Sequence, residues 1–103
     1  MNQEEAIKNV YNALLSETSI PVSIRNMEGV DKVQYEELKK NIIFLIDYYK
    51  DRDNVPKKLA LAFVDISNYF FVPNLNYSEE DSERFEDYGI ELSELANKLF
   101  DDE

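Results

Sequence analysis

The stretch Leu59–Val72, LALAFVDISNYFFV, determines the fold expected of this chain. One line of residues recurs along it at helical spacing: Leu59, Phe63, Ile66 and Phe70. The apolar arc is widened by Ala62, Val64, Tyr69 and Phe71, which leaves a narrow seam of Lys58, Leu61, Asp65 and Asn68. A helix that is apolar nearly all round must be covered on most sides. We therefore predict a buried core helix at residues 56–71, which Pro73 ends.

The length of the chain and the residue types it lacks limit what it can be. Its 103 residues predict a single domain, residues 1–103, with one modest core. There is no Cys and no His, which removes disulfides, the usual general base and the usual zinc ligand. The N-terminal sequence MNQEEA is acidic where a signal peptide is basic. A bilayer span needs about 20 apolar residues, and Asp65 interrupts the apolar run. We expect a cytoplasmic protein that does not enter a membrane.

Negative charge is concentrated in the last third of the chain. Residues 1–73 hold 11 acidic and 9 basic residues, whereas residues 74–103 hold 11 acidic residues against Arg84 and Lys98. The last third therefore contributes −9 of the formal net charge of −11. Such a surface repels nucleic acids and anionic membranes and attracts basic partners. The alternative is that the acidic residues only keep the protein soluble.

Two helices and a break are predicted in the first half of the chain. Asn2 can cap a helix from about Gln3 to Glu17, and residues 18–30 interrupt the helical period. Because Pro21 disfavours a helix at the residue before it, and because apolar residues alternate from Ile20 to Ile24, we predict an extended segment there. Asp31 with Gln34 predicts a capping box for a second helix, residues 31–50.

Two aromatic residues of the second helix lie off its apolar face. Phe44 and Tyr48 are one turn apart on the far side. Another element either covers them, or they form an exposed pair that could anchor a partner. Asp51, Asp53 and Asn54 follow, but the spacing of a calcium-binding EF-hand loop is absent. We predict a turn there, no metal site and no cofactor, with Pro56 starting the next helix.

The last helix is expected at residues 79–100, capped by Ser78. Its apolar face is formed by Phe85, Tyr88, Leu92, Leu95, Ala96 and Leu99. This spacing continues through Gly89, which favours one unbroken helix, although Gly89 could instead end a shorter one. Residues 101–103 are expected to fray.

The outer face of the last helix is the strongest candidate for a binding surface. It carries Glu79, Glu80, Glu83, Glu86, Asp87, Glu91 and Glu94. Several of these acids are four residues apart, and such like-charge pairs destabilise a helix. Ile90 lies among them, and an apolar centre with a polar rim is typical of specific interfaces. We predict a partner-binding surface made of these residues, with Phe44 and Tyr48 as a second candidate.

Catalysis is not expected from this sequence. Triads need His or an equivalent base, helical di-iron sites need Glu-x-x-His pairs, and phosphate loops are rich in Gly. None of these motifs is present. Two carboxylates could in principle act together, but the acidic residues are predicted on an open convex helix.

In size, charge and helical pattern, the chain resembles the small acidic immunity proteins that neutralise bacterial nuclease toxins of the colicin and contact-dependent-inhibition types. It shares with them a short helical chain that has many Tyr and neither His nor Cys. Asp65, Tyr69 and Pro73 are loosely similar to the Asp, Tyr-Tyr-Pro run at the interface of colicin nuclease inhibitors. Because Asp65 and Tyr69 fall in the predicted core helix, we leave them out of the candidate site.

The sequence thus predicts an all-α protein, a small bundle of about four helices with one long loop. The resemblance implies an immunity protein that occludes a basic toxin domain. The alternatives are an acidic mimic of nucleic acid that inhibits a DNA- or RNA-binding enzyme, and a small helical adaptor. The oligomeric state is left open.

Overall fold

The computed structural model describes residues 1–72 and 75–100, except for the side chain of Ser67. Within these residues, every regular element is a helix. These residues form six helices: α1 Gln3–Leu15, α2 Ile20–Arg25, α3 Lys32–Tyr49, α4 Lys57–Phe63, α5 Ile66–Tyr69 and α6 Glu79–Phe100. The all-α prediction is confirmed. The four predicted helices are all present, but the third is divided into α4 and α5, and α2 is additional.

Short polar side chains start three of the helices, as predicted. The Asn2 side chain accepts a hydrogen bond from the Glu5 N–H at 2.8 Å, and Ser78 accepts one from the Asp81 N–H at 3.0 Å. Asp31 accepts the Val33 and Gln34 N–H groups at the start of α3. The Gln34 side chain does not close a capping box. It donates to the Thr18 carbonyl at 3.0 Å, which ties α3 to the chain after α1.

The predicted extended segment at Ile20–Ile24 is wrong, because these residues form α2. Ser19 caps this helix, and Pro21 lies in its first turn, where a missing N–H is no loss. The alternation also has a helical interpretation: Ile20 and Ile24 are one turn apart, and both are fully buried. The Tyr77 hydroxyl fixes the loop that follows, since it donates to the Ile24 carbonyl and accepts from the Gly29 N–H.

The predicted continuous helix at residues 56–71 is also wrong. It breaks at Asp65, whose backbone leaves helical geometry at φ −118° and ψ 27°. The break lets α4 pack on α1 while α5 packs on α6, so one apolar stretch covers two different helices. The four residues of the predicted apolar line, Leu59, Phe63, Ile66 and Phe70, are all buried, which confirms them. Val64 and Phe71 were predicted to be covered, which is wrong, because they are 76% and 53% exposed. Each directly follows a residue of the buried line, so its side chain leaves the backbone on a different side.

Helix α3 lies at the centre of the fold, with α1 against one part of it and α6 against another. Its buried residues are Tyr35, Leu38, Asn41, Ile42, Leu45 and Tyr49. Asn41 is satisfied inside the core, because it accepts from the Asn9 side chain at 3.1 Å and donates to the Glu37 carbonyl at 2.7 Å. Within residues 1–72 and 75–100, every buried side-chain nitrogen and oxygen has a hydrogen-bond partner.

Helix α6 is continuous through Gly89, as predicted. Its inner face buries Phe85, Gly89, Leu92, Ala96 and Leu99. None of the described helices combines the length and apolar character that a bilayer crossing requires. The predicted helix stop at Pro73 and the predicted fraying of residues 101–103 lie outside the described residues.

Candidate protein-binding surface

The outer face of α6 brings together the acidic residues singled out in the sequence. We call them the acidic ridge: Glu79, Glu80, Glu83, Glu86, Asp87, Glu91 and Glu94. All seven are exposed. Ile90 lies among them and is 57% exposed, because the unbroken helix keeps it on the side away from the core. The ridge therefore has an apolar residue in its middle.

Two members of the acidic ridge lie within ion-pair distance of a cation, which each shares with a second carboxylate. Arg84 pairs with Glu80 at 3.6 Å, and Lys39 of α3 pairs with Glu91 at 3.4 Å. The remaining members have no Lys or Arg nitrogen within 4.0 Å in the described part of the chain: Glu79, Glu83, Glu86, Asp87 and Glu94. These five carboxylates carry uncompensated negative charge into the solvent.

Glu91 has a structural role that the sequence did not indicate. Its carboxylate accepts a hydrogen bond from the Tyr35 hydroxyl, and the Tyr35 ring lies 4.2 Å from the Tyr88 ring. Burial raises the pKa of Tyr35, and the hydrogen bond to Glu91 and the charge of that carboxylate raise it further. Glu91 thus joins α6 to α3. Its partners Tyr35 and Lys39 are more than fifty residues away in sequence, so no local pattern could have revealed them.

A groove runs beside the ridge, between α5 and α6. It encloses about 370 Å³, and we call it the α5–α6 groove. Its lining residues are Asn68, Phe71, Glu86, Gly89, Ile90, Ser93, Glu94 and Asn97. Phe71 is the residue that sequence reasoning missed, because it was placed on the covered arc of a continuous helix. Phe71 and Ile90 supply exposed apolar surface to the groove.

The charge around the α5–α6 groove has a single sign. Glu86 and Glu94 both line it, and none of its lining residues in the described part of the chain is basic. At 1.5 Å per residue, the eight residue steps between them place their Cα atoms about 12 Å apart along α6. Ile90 lies midway between them in sequence. The groove is therefore an apolar strip with a carboxylate toward each end.

Phe44 and Tyr48 are not an exposed aromatic pair. Phe44 is half-buried and packs against the core. Tyr48 is 37% exposed, and the Arg52 guanidinium lies over its ring at 4.3 Å. Both residues belong to α3, apart from the acidic ridge. Tyr48 alone offers a modest exposed surface.

The turn at Asp51, Asp53 and Asn54 is exposed to solvent. Across residues 1–72 and 75–100, no three His, Cys, Asp or Glu side chains are grouped so that they could share a metal ion. Asp65 of the loosely similar run is exposed, Tyr69 is half-buried, and Pro73 lies outside the described residues.

Comparisons with protein-family models, with curated proteins and with solved structures found no match to this chain. Its function therefore has to be inferred from its own surface.

Proposed function

We propose that this chain is a protein inhibitor that binds a basic partner through the acidic ridge and the α5–α6 groove. One observation carries the proposal: Ile90 and Phe71 expose apolar surface beside five carboxylates that lack a cationic partner in the described residues. A specific interface commonly has an apolar centre with a polar rim. The chain would act by occlusion and not by catalysis.

The sequence and geometry of α6 favour a binding role over simple solubility. Glu79 and Glu83, and Glu83 and Asp87, are like-charge pairs four residues apart, which local helix stability disfavours. Single exposed apolar residues are normal on a protein surface, but Ile90 and Phe71 line the same groove beside Glu86 and Glu94, and an apolar surface rimmed by polar residues is typical of an interaction site. A basic partner would relieve the repulsion and cover the apolar surface at the same time.

The charge and the groove would contribute differently to binding. Exposed charges mainly raise the association rate, and salt weakens that effect. Apolar residues buried at the centre of an interface mainly slow dissociation. We therefore propose that the five carboxylates without a cation in the described residues raise the association rate. Ile90 and Phe71 would lower the dissociation rate.

The partner we favour is a toxin domain that acts on nucleic acid. Such a domain must present Lys and Arg to phosphates, and the same basic surface would attract the acidic ridge. The resemblance to immunity proteins in size, charge and helical pattern supports this choice. Covering the basic surface would prevent the toxin from reaching its substrate.

Capture from a lysate of the source cell tests the proposal. The bait is the immobilised full chain, compared with the Glu83→Lys/Asp87→Lys variant. The matched control is Glu17→Lys/Asp53→Lys, which makes the same change in charge at exposed turn residues away from the ridge. Neither residue has a Lys or Arg nitrogen within 4.0 Å in the described part of the chain. We expect the parent and the control to retain a basic protein that the ridge variant releases. Added in equal amounts, the parent should then abolish that protein's activity.

Two results would contradict the inhibitor proposal. The first is that the ridge variant retains the same proteins as the parent and the control. The ridge would then be only a solvated face. If several unrelated nucleic-acid-binding proteins are retained equally, the ridge acts as a general mimic of nucleic acid.

A further inference from the structure

The α5–α6 groove is long enough on its α6 side to run beside about three turns of a helix. Its α6 side runs from Glu86 to Asn97, which at 1.5 Å per residue is about 16 Å, or three helical turns. Gly89 presents no side chain, and Phe71 and Ile90 give the groove exposed apolar surface. Apolar grooves of this kind bind amphipathic helices through residues one turn apart.

The acidic residues of the groove define the charge of its occupant. A partner helix lying along α6 would have to place one side chain near Glu86 and another near Glu94. Neither carboxylate has a cation within 4.0 Å among residues 1–72 and 75–100, so each is available to a partner. Lys and Arg suit these positions, because their stems can lie along apolar surface while their charged ends reach a carboxylate.

The spacing within the groove defines the sequence pattern of the occupant. Glu86, Ile90 and Glu94 follow one another at four-residue intervals on one face of α6. A complementary helix would repeat this spacing, with a basic residue, an apolar residue one turn later and a second basic residue one turn after that. A partner with such a segment would fill the groove and neutralise both of its carboxylates.

We propose that the α5–α6 groove receives an amphipathic helix of the basic partner, with its apolar residue against Ile90 and Phe71 and its two basic residues at Glu86 and Glu94. This inference rests on the proposed function and assigns the segment of the partner that the inhibitor holds. A second copy of this chain is a poorer occupant, because its net charge of −11 would oppose the approach of two acidic ridges.

A synthetic helical peptide tests the groove directly. The probe is an Ala-rich peptide with blocked ends, two Lys residues eight positions apart and a Leu midway between them. Two matched peptides replace the Leu by Ser or both Lys by Glu. Each is titrated at low salt into the isotopically labelled full chain, and amide shifts are followed by NMR. We expect shifts concentrated at residues 68–71 and 86–97 for the Lys-Leu-Lys probe.

Variants of the full chain then separate groove binding from general attraction. Glu86→Lys/Glu94→Lys and Ile90→Ser should each weaken binding of the probe by about tenfold or more, and the Ser peptide should lose a similar factor. The control variant Glu17→Lys/Asp53→Lys should stay within about twofold of the parent, since exposed charges far from an interface act weakly. Dispersed amide spectra would verify that each variant is folded.

Three results would overturn the groove assignment. If the Leu and Ser peptides bind with equal affinity, the apolar contact contributes nothing and the peptides bind by charge attraction alone. Shifts that cluster around Tyr48 and Arg52 would move the site to α3. If the chain alone forms a dimer and Ile90→Ser dissociates it, the occupant of the groove is a second copy of the chain. If any of these occurs while Glu83→Lys/Asp87→Lys still releases the captured protein, the inhibitor proposal stands and only its docking mode is wrong.

Discussion

A methyl group at position 89 would lie 3.0 Å from the Cβ of Phe70, so the approach of α5 to α6 depends on a glycine inside a long helix. Phe70 is 1% exposed and belongs to the core. A Gly within a helix costs about 1 kcal/mol relative to Ala. This cost is offset by the burial of Phe70, and the same contact holds the two sides of the α5–α6 groove together.

Gly89→Ala should therefore fail to show the stability gain that helix propensity alone would give. Overpacking a core costs about 1–3 kcal/mol, which exceeds the gain of about 1 kcal/mol from the better helix former. The short contact involves the Cβ of Phe70, which cannot rotate away as the end of a long side chain can. We expect a net loss of up to about 2 kcal/mol in urea unfolding. A gain of about 1 kcal/mol would show that α5 moves aside freely.

Phe70 and Phe71 form a matched pair for testing which residues of the α4–α5 stretch hold the core. Phe70→Ala should destabilise the protein by about 3–5 kcal/mol, because it leaves a cavity between α5 and α6. Phe71→Ala removes the same number of atoms from an exposed side chain and should change stability by less than about 0.5 kcal/mol. Urea melts of both variants measure the difference. Similar losses at the two positions would contradict the exposed position of Phe71.

The raised pKa of Tyr35 makes stability depend on alkaline pH. The folded protein keeps the Tyr35 proton where the unfolded chain, with an ordinary Tyr pKa of about 10, releases it. This contribution to stability is therefore complete below about pH 10 and declines as the pH rises further. Tyr35→Phe should cost about 1–2 kcal/mol at neutral pH, since the hydrogen bond to Glu91 is lost.

Urea melts at neutral pH and above about pH 10 measure this dependence. We expect the parent to lose more stability across that interval than Tyr35→Phe, so the two should become more alike at high pH. If their difference does not change with pH, ionisation of Tyr35 does not oppose folding.

Local signals predicted the helix starts better than they predicted helix continuity. Asn2, Asp31 and Ser78 act within a few residues of themselves, and each caps the helix assigned to it. The break at Asp65 has a tertiary cause, because α4 and α5 cover different helices. The sequence shows only that the stretch is apolar on most sides, which suits one buried helix and two diverging ones equally.

The candidate site was predictable on the side formed by one helix. The acidic ridge and Ile90 follow from the helical period of α6 alone. The groove also needs Phe71, which follows α5 and which the sequence reasoning had placed on the covered arc of one continuous helix. The role of Glu91 was hidden for a similar reason, because Tyr35 and Lys39 reach it from α3.

The like-charge pairs of the acidic ridge should make stability rise with salt. Added NaCl shortens the Debye length from about 30 Å at 0.01 M to about 3 Å at 1 M, which screens repulsion between exposed carboxylates. Glu83→Lys/Asp87→Lys converts the repulsive pairs with Glu79 and Glu91 into attractive ones, each worth a few tenths of a kcal/mol, while the pair between positions 83 and 87 stays repulsive. It should therefore be more stable than the parent at low salt, by about 0.5–1 kcal/mol, and lose that advantage at high salt. Thermal melts over a salt series measure both effects. Glu17→Lys/Asp53→Lys changes the net charge equally but leaves the ridge pairs intact, so an equal gain in that control would assign the effect to net charge alone.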